Sequence, residues 1–107
     1  IIIRFLVYLY RIKFYIIKMI DIYIVHDNPN IEGIIWNTPL EIEPFFHFLD
    51  IGSKKDMSKA FKFKQTWGAR KNPFCLIEED GKAVKAFYTE SGEDAIEQLI
   101  KYLKKHD

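Results

Sequence analysis

Residues 67–82 read WGARKNPFCLIEEDGK, and they decide the fold. Gly68 is a typical helix end, because glycine readily adopts the left-handed backbone that follows a last helical turn. The apolar run at 74–79 predicts a strand, and Pro73 is acceptable at its start, where a missing N–H is tolerated. The Asp-Gly pair at 80–81 predicts a tight hairpin turn. This stretch therefore predicts a helix end, a strand and an antiparallel neighbour in succession.

The sequence on either side predicts the remaining elements of an α/β domain. The β-branched run at 20–25 predicts a central strand, and the aromatic run at 45–50 predicts a second one. Pro29, Pro39 and Pro44 divide residues 26–44, and Gly33 adds a break, so no long helix is expected there. A right-handed crossover would make the first two strands parallel. We therefore expect a mixed four-stranded sheet flanked by helices, with the first helix eroded.

Two amphipathic helices complete this reading. Ser53 is a candidate N-cap for a helix that ends at Gly68, and Ser91 is a candidate N-cap for the last helix, with Asp94 in its first turn. Apolar spacing predicts the buried face of each helix. These faces comprise Met57, Ala60, Phe61 and Lys64 in the first, and Ile96, Leu99, Ile100 and Leu103 in the second.

Composition divides the 107 residues at Met19. Residues 1–18 are apolar and aromatic with four basic and no acidic side chains, whereas residues 19–107 hold 12 basic and 15 acidic residues. Residues 1–18 form a leader in which charged residues recur too often for a typical membrane-spanning helix. It could lie on a membrane surface as a basic helix. Its residues are also those of A/T-rich codons, as in some bacteriophage genomes, which favours an untranslated or non-native leader before a domain at 19–107.

This order of elements resembles the thioredoxin/glutaredoxin fold. The stretch quoted above is similar to that family's segment from the end of its middle helix, through a glycine turn, to the proline that opens its third strand. In the family this proline is cis, and it exposes the backbone of the preceding residue to a bound extended peptide or to glutathione. The resemblance assigns these roles to Pro73 and Asn72. An ordinary trans proline at a strand start is the alternative.

The redox motif of the family is missing. Its catalytic cysteines follow the first strand, where this chain reads His26-Asp27-Asn28-Pro29 without a thiol. Dithiol exchange needs an attacking thiolate at that place. Cys75 is the one cysteine of the chain, and its apolar strand predicts a buried, structural side chain. We therefore expect no dithiol–disulfide oxidoreductase activity and assign no catalytic residue.

Other chemistry has weaker support. His26 and Asp27 are adjacent on a strand and so point to opposite faces, which favours turn-forming residues over an acid–base pair. His47 is expected on a strand face with a hydrogen-bond partner. The carboxylates show no metal-loop spacing, so no metal or cofactor is expected. The basic and aromatic run at 59–64 could bind single-stranded nucleic acid, but the negative charge of residues 19–107 favours a solvated helix face.

The sequence thus predicts a single thioredoxin-like domain that is redox-inactive and serves as a protein-binding or structural module. A degenerate glutaredoxin-like or glutathione-linked enzyme is the alternative, and a membrane role would require residues 1–18. One cysteine suits a reducing compartment, so we expect a cytoplasmic protein. The resemblance implies a protein or peptide partner, with glutathione as another possible ligand. The predicted groove comprises His26, Asp27, Trp36, Trp67, Lys71, Asn72 and Pro73.

Overall fold

A computed structural model of the chain describes residues 19–40, 44–90 and 92–105. They form an α/β fold in which one four-stranded mixed sheet carries three helices. The strands are β1 (Ile20–His26), β2 (Phe45–Asp50), β3 (Phe74–Glu79) and β4 (Lys82–Tyr88). The helices are α1 (Asn30–Trp36), α2 (Lys54–Trp67) and α3 (Ala95–Lys105). The predicted α/β class and mixed sheet are confirmed.

The sheet has the strand order β2-β1-β3-β4. β1 and β2 are parallel, while β1 with β3 and β3 with β4 are antiparallel. The turn between β3 and β4 places Asp80 at φ 52° and Gly81 at φ 83°, as a two-residue hairpin with the favoured twist requires. At this end Met19 N–H donates to Asp80 Oδ1 at 3.1 Å, and Met19 carbonyl accepts from Asp80 N–H at 2.8 Å. The chain therefore enters β1 at the hairpin turn.

The core forms two layers because successive side chains of a strand point to opposite faces of the sheet. Ile22 and Ile24 of β1 pack with residues of α1 and α3 on one face. Val25 packs with Ala60 of α2 on the other face. Full burial of an aliphatic side chain stabilises a fold by about 1.5–3 kcal/mol, so both layers hold the sheet in place. In the part of the chain described here, no helix has the length and apolar character to cross a bilayer.

Helix α1 differs from the expected irregular segment. Pro29 occupies its N-cap with φ −63°, so the proline lies before the helix and its fixed φ suits the first turn. Asn28 Oδ1 accepts from Asn30 N–H at 3.0 Å. Ile31 and Ile35, four residues apart, are both buried. This burial outweighs the roughly 1 kcal/mol that Gly33 costs within a helix, although the helix remains only 7 residues long.

Helix α2 differs from the prediction in the face that it buries. Gly68 ends α2 in the left-handed region, as expected, but Phe61 is 52% and Met57 39% exposed, so the predicted stripe is wrong for them. Ala60 is buried, and Phe63 packs on Tyr23 instead, with ring centroids 4.9 Å apart. The buried face of α2 is thus rotated from the predicted stripe towards Phe63.

The N-terminus of α3 also departs from the predicted cap. Ser91 and residues 1–18 lie outside the described residues. Asp94 Oδ1 accepts from Ile96 N–H at 2.8 Å. Asp94 therefore occupies the capping position at the start of α3, and the helix begins only at Ala95. The apolar face of α3 is as predicted, because Ile96 and Leu99 are buried in the core.

Candidate functional site

The end of β1 and the start of β3 lie side by side at one end of the sheet. Val25 and Phe74 are the last registered pair of these strands, so His26 and Pro73 are the next residues in register. On its other side His26 is registered with Asp50 of β2, and its carbonyl accepts from Ile51 N–H at 2.9 Å. We refer to His26, Asp27, Asn72 and Pro73 as the strand-end site.

His26 carries a buried nitrogen without a partner. The residue is only 4% exposed, and its Nδ1 makes no hydrogen bond. Its ring meets Phe48 edge-on, with centroids 6.2 Å apart. A buried polar atom without a partner costs about 1–3 kcal/mol. This imidazole is therefore held in an unfavourable environment by the surrounding fold.

Asn72 provides the second polar atom of this kind. The peptide bond between Asn72 and Pro73 is cis, in agreement with the expectation for this position. Asn72 Oδ1 is buried and has no hydrogen-bond partner. Among all buried side-chain nitrogen and oxygen atoms of the described residues, only His26 Nδ1 and Asn72 Oδ1 lack a partner. Both belong to the strand-end site.

Thr89 holds the backbone of the strand-end site through hydrogen bonds of its hydroxyl. Its hydroxyl donates to the Pro73 carbonyl at 2.8 Å and accepts from Ala95 N–H at 3.1 Å. One side chain thus ties the start of β3 to the first residue of α3. Sequence reasoning missed Thr89, because its partners lie 16 residues before it and six residues after it, and no local spacing marks such a bridge.

Replacing Thr89 with valine should lower the free energy of unfolding by about 1–3 kcal/mol, since two largely buried groups lose a partner. Urea unfolding of the two proteins, followed by circular dichroism, measures this difference. Thr89→Ser keeps the hydroxyl and serves as the control, with a clearly smaller loss expected. Equal losses in the two variants would show that the hydroxyl does not carry the effect.

Two other predicted residues lie on the segment that leads to Pro73. Trp67 ends α2 and is 37% exposed. Its carbonyl accepts from the Tyr88 hydroxyl at 2.9 Å, and Tyr88 is registered with Phe74 at the start of β3. Lys71 is exposed in the turn before Asn72. The chain path therefore carries Trp67 and Lys71 towards the strand-end site.

Trp36 lies on the flank formed by α1 and β2, where Phe48 lies between its ring and that of His26. It ends α1 and is 62% exposed. Its ring packs on Phe46 at 5.6 Å and on Phe48 at 6.0 Å between centroids. Phe46 is registered with Ile22, near the beginning of β1, whereas the strand-end site follows the end of β1. The structure thus brings together His26, Asp27, Asn72 and Pro73, and places Trp36 on the flank formed by α1 and β2.

Comparison with known protein families, curated proteins and solved structures finds no match to this chain.

Cys75 lies inside the sheet, two residues beyond Pro73. Its side chain is completely buried, and its thiol points at the Ala95 carbonyl with Sγ 3.9 Å from the oxygen. Burial raises the pKa of the Cys75 thiol far above its ordinary value, and the Asp94 carboxylate adds a smaller effect in the same direction. Because the thiolate is the nucleophile, this cysteine is poorly suited to thiol chemistry.

His47 and Lys59 make contacts within the fold. His47 Nε2 donates to Asp21 Oδ1 at 2.8 Å, which confirms the predicted partner for this histidine. Lys59 Nζ lies 4.8 Å from the centre of the Tyr23 ring, so one lysine of the basic run at 59–64 packs on an aromatic side chain of the sheet. Within the ranges that the structure describes, no three His, Cys, Asp or Glu side chains converge as metal ligands would.

Proposed function

We propose that this chain is a redox-inactive thioredoxin-like protein that binds an extended segment of another protein at the strand-end site. The order of its elements, the parallel pairing of β1 with β2 and the antiparallel pairing of β3 with β4 support the fold assignment, because the sequence predicts this arrangement. The cis bond before Pro73 lies where the resemblance placed it.

One observation carries the functional part of the proposal. Within the described ranges, the two buried side-chain polar atoms that lack a partner both belong to the strand-end site. Folding tends to leave few such atoms, because each one costs stability. A ligand that supplies the missing hydrogen bonds would recover this cost on binding, which is the pattern expected of a binding site rather than of a structural turn.

The chemistry of these atoms fits a peptide backbone. Asn72 Oδ1 is an acceptor and needs an N–H or O–H group. His26 Nδ1 donates or accepts according to its tautomer. An extended peptide offers N–H and C=O groups alternately along its edge, which is how strands and clefts recognise protein segments. A peptide that pairs with these atoms must displace the side chains that cover them, since neither atom is exposed to solvent in the free protein.

The same site lacks the means for disulfide exchange. The residues that follow β1 are Asp27, Asn28 and Pro29, none of which has a thiol. Cys75 is buried, and its thiol is held in the protonated form. We therefore assign the site to binding without electron transfer.

Asn72→Ala tests the proposal. A random-peptide display library is panned on the full chain, and the enriched peptides are titrated against both proteins. We expect at least a tenfold loss of affinity in the variant, about 1.4 kcal/mol, because one hydrogen bond to the peptide is removed. The free energy of unfolding should not fall, since Oδ1 has no partner to lose within the protein and its removal relieves the cost of a buried unpaired acceptor.

Gln65→Ala is the matched control, because Gln65 carries an exposed amide on α2. It should bind the selected peptides with wild-type affinity. Enrichment of no peptide, or equal binding by Asn72→Ala, would refute the proposal. Glutathione is titrated in parallel to about 1 mM by isothermal titration calorimetry. Binding heat that is measured with the wild type and absent with Asn72→Ala would identify glutathione, rather than a peptide, as the ligand.

A further inference from the structure

The two outer strands of the sheet are protected to different degrees. β4 carries Lys82 and Lys85, and its pairing with β3 shifts register between Ile77 and Glu78. Lysines and bulges are the usual devices that keep a sheet edge from pairing with another chain. β4 therefore has the features of an edge that remains unpaired.

β2 has none of these devices. Its sequence is FFHFLD, without lysine, and its register with β1 runs unbroken over six residue pairs. In the described ranges β2 pairs with β1 alone, so its outer backbone groups have no strand partner there. A regular, apolar edge of this kind is a template for strand addition.

Aromatic side chains line this edge on both faces of the sheet. Phe46 and Phe48 stack with centroids 6.1 Å apart on the face of α1, and the Trp36 ring packs on both of them. Phe45, which is 58% exposed, and His47 alternate onto the face of α2. An added strand would therefore meet apolar surface on each side of the sheet.

We propose that the added strand is β2 of a second copy of this chain, paired antiparallel about a twofold axis at His47. The strand is complementary to itself in that register. Phe46 would face Phe48 of the second copy, and Phe45 would face Leu49 of the second copy, so that apolar residues meet apolar residues. Asp50 would face Pro44 of the second copy, so no two carboxylates meet. The two sheets would join into one sheet of eight strands.

The exposed area indicates a weak dimer. Trp36 and Phe45 are 62% and 58% exposed, and aromatic side chains bury about 150–250 Å² each. These two residues therefore offer roughly 400–600 Å² over both copies, to which the strand edges and the neighbouring rings add. The two residues alone give less than half of the area of a standard specific interface, so the strand edges must supply the rest and we expect a weak dimer, with a dissociation constant of about 1–100 μM.

Sedimentation velocity of the full chain from about 1 to 500 μM tests the dimer, over a range set by the expected dissociation constant. We expect reversible dimerisation that Phe45→Lys weakens at least tenfold. Val84→Lys is the matched control, because Val84 is 49% exposed on the other outer strand; it should dimerise as the wild type does. A monomer at every concentration, or equal weakening by both lysines, would overturn the proposal. Circular dichroism checks that both variants fold.

Cysteine cross-linking tests the register independently. His47→Cys should oxidise to a disulfide-linked dimer, because directly opposed strand residues lie within the Cα separation that a disulfide requires. Phe46→Cys should cross-link at least tenfold more slowly, since its opposite residue is Phe48. Preferential cross-linking of Phe46→Cys would overturn the assigned axis. These results do not depend on whether the strand-end site binds a peptide.

Discussion

Phe74→Ala is expected to lower the free energy of unfolding by about 3–5 kcal/mol, the usual cost of removing a buried aromatic ring. Phe74 is fully buried, and its ring lies 5.2 Å from the Tyr88 ring. It belongs to the core layer under α2, together with Val25 and Leu49. A small domain is stable by about 5–15 kcal/mol in total, so this single change consumes a large part of its stability.

Urea unfolding of wild type and variant at 25 °C, followed by circular dichroism, measures this loss. Phe61→Ala is the matched control, because it removes the same ring from a position that is 52% exposed. We expect a loss below about 1 kcal/mol for it, as for most exposed positions. Similar losses in the two variants would contradict the assignment of Phe74 to the core. Because Phe74 directly follows Pro73, its loss should also disturb the strand-end site.

The buried thiol of Cys75 should make the protein less stable in alkaline solution. The raised pKa of Cys75 keeps the thiol protonated in the folded state, whereas the unfolded chain ionises near the ordinary value of about 8.5. The contribution is fully present below that pH and is lost as the pH rises above it, at up to about 1.4 kcal/mol per pH unit. We expect a loss of about 2 kcal/mol between pH 7 and pH 10.

Cys75→Val provides the reference for this measurement, because it fills a similar volume without a thiol. Tyr23 and Tyr88 also have raised pKa values, chiefly through burial, but both proteins contain them. The difference between the two urea unfolding curves at each pH therefore isolates Cys75. A wild type and variant that lose stability in parallel would show that the thiol ionises as readily in the folded state as in the unfolded one.

The strands could be predicted because their signals are local. The run Phe74–Glu79, the turn at Asp80 and Gly81, and the helix end at Gly68 each depend on a few adjacent residues. The structure places these elements where the sequence indicated. The same strand bounds indicate that His26 lies at the end of β1 and that Pro73 precedes β3, which places both residues in the strand-end site.

The predictions that were wrong depend on tertiary packing, which the local sequence does not determine. The seven-residue α1 forms because Ile31 and Ile35 are buried, which outweighs an unfavourable glycine. Phe61 is exposed because α2 turns a different face to the sheet, and periodicity alone does not fix that rotation. Trp36 packs on Phe46 and Phe48 of β2, a contact between two elements that local sequence does not indicate. The two polar atoms without partners could not be foreseen, because partnership is a property of the folded chain.

The paired hydrogen bonds between Met19 and Asp80 determine which end of the sheet lies next to the polypeptide that precedes Met19. They hold the start of β1 at the hairpin turn, while the strand-end site lies at the finish of the same strand. β1 has 7 residues, so roughly 20 Å of sheet separates the two ends. The polypeptide ahead of Met19 therefore connects to the sheet at the end of β1 that is remote from the strand-end site.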